Sequence, residues 1–203
     1  TSANLTISNN NITVISGGTN SICVGIENGI GATAASNTVS ITNNIITGAH
    51  PLSTTGVWSG IENIAGATTL NITGNRVQNV TTSNTSTGAW RGITQAIAST
   101  STVNILNNVI TNNNTGSSGL FAPIICATAA TININGNSIL NNAFLTSVSS
   151  NFISAGGIAA SVVSVNNNTI SDNLLNGGFG TATINGITTG TGYTSLTVTG
   201  NRI

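Results

Sequence analysis

The sequence predicts an all-β chain wound as a right-handed parallel β-helix, a solenoid of about six coils of roughly 32 residues. Three observations predict it: one short motif recurs seven times in phase, apolar residues fall in fixed columns around that motif, and charge is almost absent. A period of 20 to 50 residues is the mark of a repeat architecture in which each unit buries its apolar face against its neighbours.

The motif is an apolar residue, any residue, Asn or Gly, then Asn, any residue, and Ile or Val. It reads ISNNNI at 7–12, ITNNII at 41–46, ITGNRV at 72–77, ILNNVI at 105–110, INGNSI at 134–139, VNNNTI at 165–170 and VTGNRI at 198–203. Its fixed Asn falls at Asn10, Asn44, Asn75, Asn108, Asn137, Asn168 and Asn201. Five residues earlier stand Leu5, Val39, Leu70, Val103, Ile132, Val163 and Leu196; three earlier, Ile7, Ile41, Ile72, Ile105, Ile134, Val165 and Val198. Spacing of two is the period of a strand with one buried face. The next apolar column, two residues after the Asn, breaks that period, so a bend is expected at the Asn, where Asn and Gly tolerate a left-handed backbone. Like-on-like stacking then predicts a ladder of the seven Asn side chains along the corner.

A second element repeats in phase. Gly-Ile at 25–26, 60–61, 92–93, 157–158 and 186–187, with Pro123-Ile124 in the remaining slot, predicts a second strand per coil. Three residues before each Ile stand Cys23, Trp58, Trp90, Phe121, Ala155 and Ile184. Stretches of varying length such as 81–88 and 146–151 read as rim loops, and their lengths explain the drift in period. The whole of 1–203 is expected to form a single solenoid domain. It begins and ends in the same part of the repeat, without a capping helix, and no leader or initiator Met is visible, so it is expected to be a segment of a longer solenoid or filament, or to stack end to end with copies of itself.

Composition bounds function. Only 3% of residues are charged, against about 25% in ordinary domains. Lysine is absent, and the charges are Arg76, Arg91, Arg202, Glu27, Glu62 and Asp172. Asn and Thr supply about a third of the chain and must provide the polar surface. Zero net charge argues against nucleic acid as a partner, since phosphate binding requires Lys and Arg. No apolar run reaches the roughly 20 residues of a spanning helix, so no membrane insertion is expected. Cys23 and Cys126 read as small buried hydrophobes three coils apart, about 14 Å, beyond the reach of a disulfide.

The repeated I-x-N-N-x-I unit, with inward Ile and Val and a corner Asn, resembles the parallel β-helix repeat of the pectin-lyase-like superfamily. The Asn/Thr-rich, uncharged style resembles the repeat regions of secreted bacterial surface adhesins. The resemblance implies an extracellular, cell-surface filament, stalk or adhesin, and the near absence of charge leads to the expectation of no cofactor and no catalytic role. An enzyme of that superfamily would carry clustered Asp, Arg, Lys or His on one strand face. The only suggestive pair here is Glu27 and Glu62, which share the context GIEN and are expected about 5 Å apart in adjacent coils. That is the carboxyl separation of retaining glycosidases, and with Asn28 and Asn63 it is also an oxygen set for calcium. Duplicated surface carboxylates are the plain alternative.

Trp58 and Trp90 share a column with Phe121 beyond; outward they would form a platform for sugar rings, inward a core stack. A carbohydrate-binding or polysaccharide-degrading β-helix using Glu27, Glu62, Trp58 and Trp90, with surface glycans as partners, is therefore the competing function. Ice binding by the flat Thr/Asn face is a third, set against the lack of a regular Thr-x-Thr ladder, only Thr197 and Thr199 forming one. His50, beside Pro51, reads as a solvated loop residue. Sequons such as Asn4-Leu5-Thr6 and Asn71-Ile72-Thr73 are expected by chance at this composition.

Overall fold

A computed structural model describes residues 4–29, 36–96, 101–157, 161–176 and 182–203. Among these the chain is all β, a parallel solenoid in which three strand-lined faces follow one another in every coil. The first sheet has seven strands: Leu5–Ser8, Thr38–Thr42, Thr69–Thr73, Thr102–Leu106, Thr131–Asn135, Ser161–Asn166 and Tyr193–Thr199. We number coils from these strands. Each strand pairs with its counterparts in the coils on either side, in parallel and in register apart from a shift between Ser161 and Val162 in the last pair, so that Val39, Leu70, Val103, Ile132, Val163 and Leu196 lie in one file. Six strand intervals give a stack about 29 Å tall at a spacing near 4.8 Å.

In the interior strands of this sheet the inward residues are β-branched or Leu and buried, among them Ile41, Leu70, Ile72, Val103, Ile105, Ile132 and Ile134, while Leu196 and Val198 of the last strand are exposed. Such side chains suit a pleated surface packed on one face. Outward, the polar residues also align. Thr38, Thr69, Thr102 and Thr131 form one file, and Ser40, Asn71, Asn104, Asn133 and Ser164 the next. In that second file the Asn104 amide donates to Asn71 Oδ1 and the Asn133 amide to Asn104 Oδ1, both at 2.8 Å.

The first corner carries the predicted ladder. Before each ladder Asn stands a residue in the left-handed region: Asn9, Asn43, Gly74, Asn107, Gly136, Asn167 and Gly200, with φ between 55° and 69°. Asn and Gly are the residues that occupy this region at least cost. At Gly74 a β-carbon would also collide with Asn43 Oδ1, so this position takes glycine where the coil below places an Asn side chain over it.

Past the corner the second sheet begins: Asn11–Ile15, Ile45–His50 and Arg76–Thr82, then paired short strands in coils four to six. These are Val109–Thr111 with Asn114–Thr115, Ser138–Leu140 with Ala143–Phe144, and Thr169–Ser171 with Leu174–Leu175. The break between the members of each pair is a second Asn corner, with Asn112, Asn141 and Asp172 at φ 54–56° followed by Asn113, Asn142 and Asn173. Asn113 donates to Asn142 Oδ1 and Asn142 to Asn173 Oδ1, each at 2.8 Å. Coil three enters this ladder from its backbone, the Val80 N–H donating to Asn113 Oδ1 at 3.0 Å.

At the third corner 83–89 and 145–149 lie outside the strands, as the reading of 81–88 and 146–151 as rim loops expects, and only the ends of those stretches differ. Thr81, Thr82, Ser150 and Asn151 lie in strands, and the turns between are built on a file of short hydroxyls. Ser86, Ser117 and Thr146 each accept a hydrogen bond from the N–H two residues on, and Ser53 Oγ lies 3.1 Å from Ser86 Oγ. His50 is corrected. It ends the strand Ile45–His50, is fully buried, and sets Nε2 2.9 Å from the Gly18 carbonyl. Pro51 ends the strand immediately after it, because proline cannot donate to a ladder.

Candidate functional site

The third sheet holds Cys23–Asn28, Trp58–Asn63, Trp90–Gln95, Phe121–Cys126, Ser150–Ala155 and Ile184–Thr189. Trp58 and Ile61 both point inward although they are three residues apart. The strand bends at Gly60, where a β-carbon would lie 2.6 Å from the Gly92 carbonyl and 2.8 Å from Val77 Cγ2. That crowding accounts for the glycine of the Gly-Ile element. It also explains how Glu62 turns outward on the far side of the bend.

In the fifth coil the expected alignment is displaced by five residues. Ile153, and not Ile158, follows Ile124 in the file, and Ser150 takes the place assigned to Ala155. Ser150 Oγ accepts the Phe121 N–H at 3.2 Å. Ile158 itself lies outside the described residues. Ala155 instead follows Cys126 in the inward file that begins with Asn28, Asn63 and Gln95.

Trp58 and Trp90 face inward and are 1% exposed. Their rings stack at 5.8 Å and 8°, Trp90 stacks on Phe121 at 4.9 Å, and Phe121 on Phe144 at 4.5 Å. The fourth ring comes from the second sheet and covers Phe121 where Ser150 is too short to do so. Phe152 closes the group edge-on, 5.8 Å from Phe121 and 5.5 Å from Phe144. The rings are enclosed in the core, and no aromatic platform is presented to a sugar by Trp58 or Trp90.

Glu27 and Glu62 are register partners in adjacent strands, and Thr94 continues their outward file. The neighbouring file on that side holds Val24, Ser59 and Arg91, of which Ser59, like Thr94, is buried. Three of the six charged residues of the chain thus occupy consecutive strands of one face. Arg91 Nη1 lies 3.5 Å from Glu62 Oε1, with the side chains 32% and 14% exposed. Glu27 is exposed. Two carboxylates one strand spacing apart repel, and the guanidinium on the other side of Glu62 offsets part of that repulsion. At this exposure the ion pair is worth less than about 1 kcal/mol. Asn28 and Asn63, expected beside the carboxylates, point inward instead; the Asn28 amide donates to Asn63 Oδ1 at 2.6 Å and the Asn63 amide to the Ala65 carbonyl at 2.7 Å. They are therefore not oxygen ligands for an ion held on the outer face. Among the described residues no three His, Cys, Asp or Glu side chains converge.

The seven Asn of the first ladder form one continuous file. Each amide from Asn10 to Asn168 donates to Oδ1 of the next, at 2.9 to 3.1 Å. Each backbone N–H in that run donates to the same oxygen. The second amide hydrogen reaches back to a strand carbonyl, as from Asn75 to Ile41 and from Asn108 to Ile72, both at 2.8 Å. An amide has two donors and two acceptor sites, so the interior members are saturated. The file has a direction: donors lead from coil one towards coil seven. Cys23 and Cys126 are free and buried, and burial pushes the Cys126 thiol up to about 12, well clear of ionisation at neutral pH.

No protein-family model, curated protein or solved structure matches this chain.

Proposed function

We propose that this chain is a structural module of an extracellular rod, filament or adhesin stalk of the pectin-lyase-like β-helix type, and that it performs no chemistry. The observation that carries the reading is the uninterrupted, directional hydrogen bonding from coil to coil. Corner amides, outward Asn71–Asn104–Asn133 and third-corner hydroxyls all bond along the axis. Load along the axis is then borne by the corner ladder in every interval, reinforced by the outward Asn file between coils three and five. A surface of Thr, Ser and Asn with very little charge suits a secreted protein whose solubility rests on neutral polar groups.

The natural partner of such a face is a coil of the same motif, from the same polypeptide or from another copy. The Asn201 amide sends one bond to the Val165 carbonyl, and Asn10 Oδ1 lies at the acceptor end of the ladder. A following coil that offers an Asn oxygen continues the register without distortion. The outward Glu27, Glu62 and Arg91 favour a second role for the third sheet as a contact face for surface glycans, through hydrogen bonds and not through ring stacking.

Electron microscopy of the native material is expected to show rods or filaments, and incubation with a panel of polysaccharides is expected to leave them uncleaved. Compact isolated particles would overturn the rod. Cleavage that disappears in Glu62→Gln would overturn the non-catalytic reading.

A further inference from the structure

Inside the solenoid, the inward file His50, Thr82 and Thr115 runs through coils two, three and four in strict register. His50 Nδ1, Thr82 Oγ1 and Thr115 Oγ1 are buried atoms for which no protein group supplies a hydrogen bond. Trp58 Nε1 and Trp90 Nε1, in coils two and three, are in the same condition. The two sets belong to adjoining walls. A β-carbon at Gly48 would stand 3.1 Å from Trp58 Nε1, and Gly48 lies two residues before His50 on the same strand. The indole N–H edge therefore opens towards the wall that carries the imidazole.

The chemistry of the five atoms is complementary but incomplete. His50 Nε2 meets a carbonyl, an acceptor, so in the neutral ring the hydrogen resides on Nε2 and Nδ1 is an acceptor. The indoles only donate, and the hydroxyls do both. Each such atom left unpaired in the interior is destabilising, and buried polar atoms in folded proteins are otherwise satisfied by protein or by water. Water is the one small species that accepts from an indole and donates to an imidazole or a hydroxyl in the same position, and it requires two to four polar partners to reside in a core.

We propose that a short file of buried water molecules threads coils two to four, held between the Trp58 and Trp90 N–H edges and the His50–Thr82–Thr115 column. The file stops at coil five, where Phe144 follows Thr115 and stacks on Phe121. Water on this path gives the aromatic half of the core its polar partners and confines the dry packing to the Phe121–Phe144–Phe152 group.

The test replaces both hydroxyls with methyls of the same shape, Thr82→Val with Thr115→Val, since valine keeps the strand preference. Oxygen-17 magnetic relaxation dispersion on the intact chain counts long-lived internal water before and after. The expected result is a loss of long-lived water in the double variant together with a melting temperature lowered by several degrees. An unchanged water count with a raised melting temperature means that the hydroxyls sat in a dry interior, and overturns the proposal. Ordered solvent density within hydrogen-bonding distance of His50 Nδ1 and Thr115 Oγ1 in a wild-type crystal structure supports the file independently. A dry interior there overturns it.

Discussion

Asn108→Asp is expected to lower stability by about 3–5 kcal/mol, the loss typical of an uncompensated charge in the interior. Asn108 is fully buried at the centre of the first ladder. Its amide donates to the Ile72 carbonyl at 2.8 Å and to Asn137 Oδ1 at 3.0 Å, while its oxygen accepts from the Asn75 backbone and side chain. Aspartate keeps the accepting role and loses both donors. One carboxylate oxygen then faces a carbonyl and an amide oxygen with no hydrogen between them. Protonation restores a single donor, so two acceptors still compete for one bond. Asn104→Asp serves as the comparison, because Asn104 bonds along the outer face, where water can replace a lost partner. Its loss is expected near 1 kcal/mol. Urea unfolding of the two variants measures the contrast, and equal losses would deny the corner ladder its special weight.

Trp90→Ala is expected to cost a similar 3–5 kcal/mol, here through a cavity. Trp90 is the middle ring between Trp58 and Phe121, and all three are enclosed. Its removal leaves both neighbours without a stacking partner, and the strands on either side are tied into registers that resist collapse. Thermal unfolding of the variant reports the loss. A drop below about 1 kcal/mol would mean an exposed ring, of the kind a sugar platform requires.

How much of this was legible in the sequence depends on how local the cause is. The first corner was fully legible, because the left-handed residue and the ladder Asn are adjacent and repeat seven times. The second corner had the same signature in Asn112-Asn113, Asn141-Asn142 and Asp172-Asn173. It was obscured because Val80 holds the ladder position in coil three and the strands of coils one and two run on without a break. The third corner rests on single Ser or Thr residues two before a Gly or Val, a weak signal in a chain rich in all of these. Gly157-Ile158 misled because the bend it seemed to mark requires only that the corner residue fit, and the fifth coil meets that requirement with Phe152. Of the candidate site, the pairing of Glu27 with Glu62 followed from the repeat. The inward turn of Asn28 and Asn63 and the arrival of Arg91 beside Glu62 did not, since both depend on the bend at the corner glycine.

The claim on which all else depends is that coils stack in register, so that residues far apart in sequence rise by one strand spacing per coil. Pulsed electron resonance between spin labels on Thr42→Cys and Thr199→Cys measures this directly, since both residues lie in one outward file, five intervals apart. Cys23 and Cys126 are buried and do not compete for label, because it is the exposed thiolate that reacts. In-register stacking predicts a separation centred near 24 Å, to within the reach of the label arms. A broad distribution, or one centred well away from that value, would contradict the stacked solenoid.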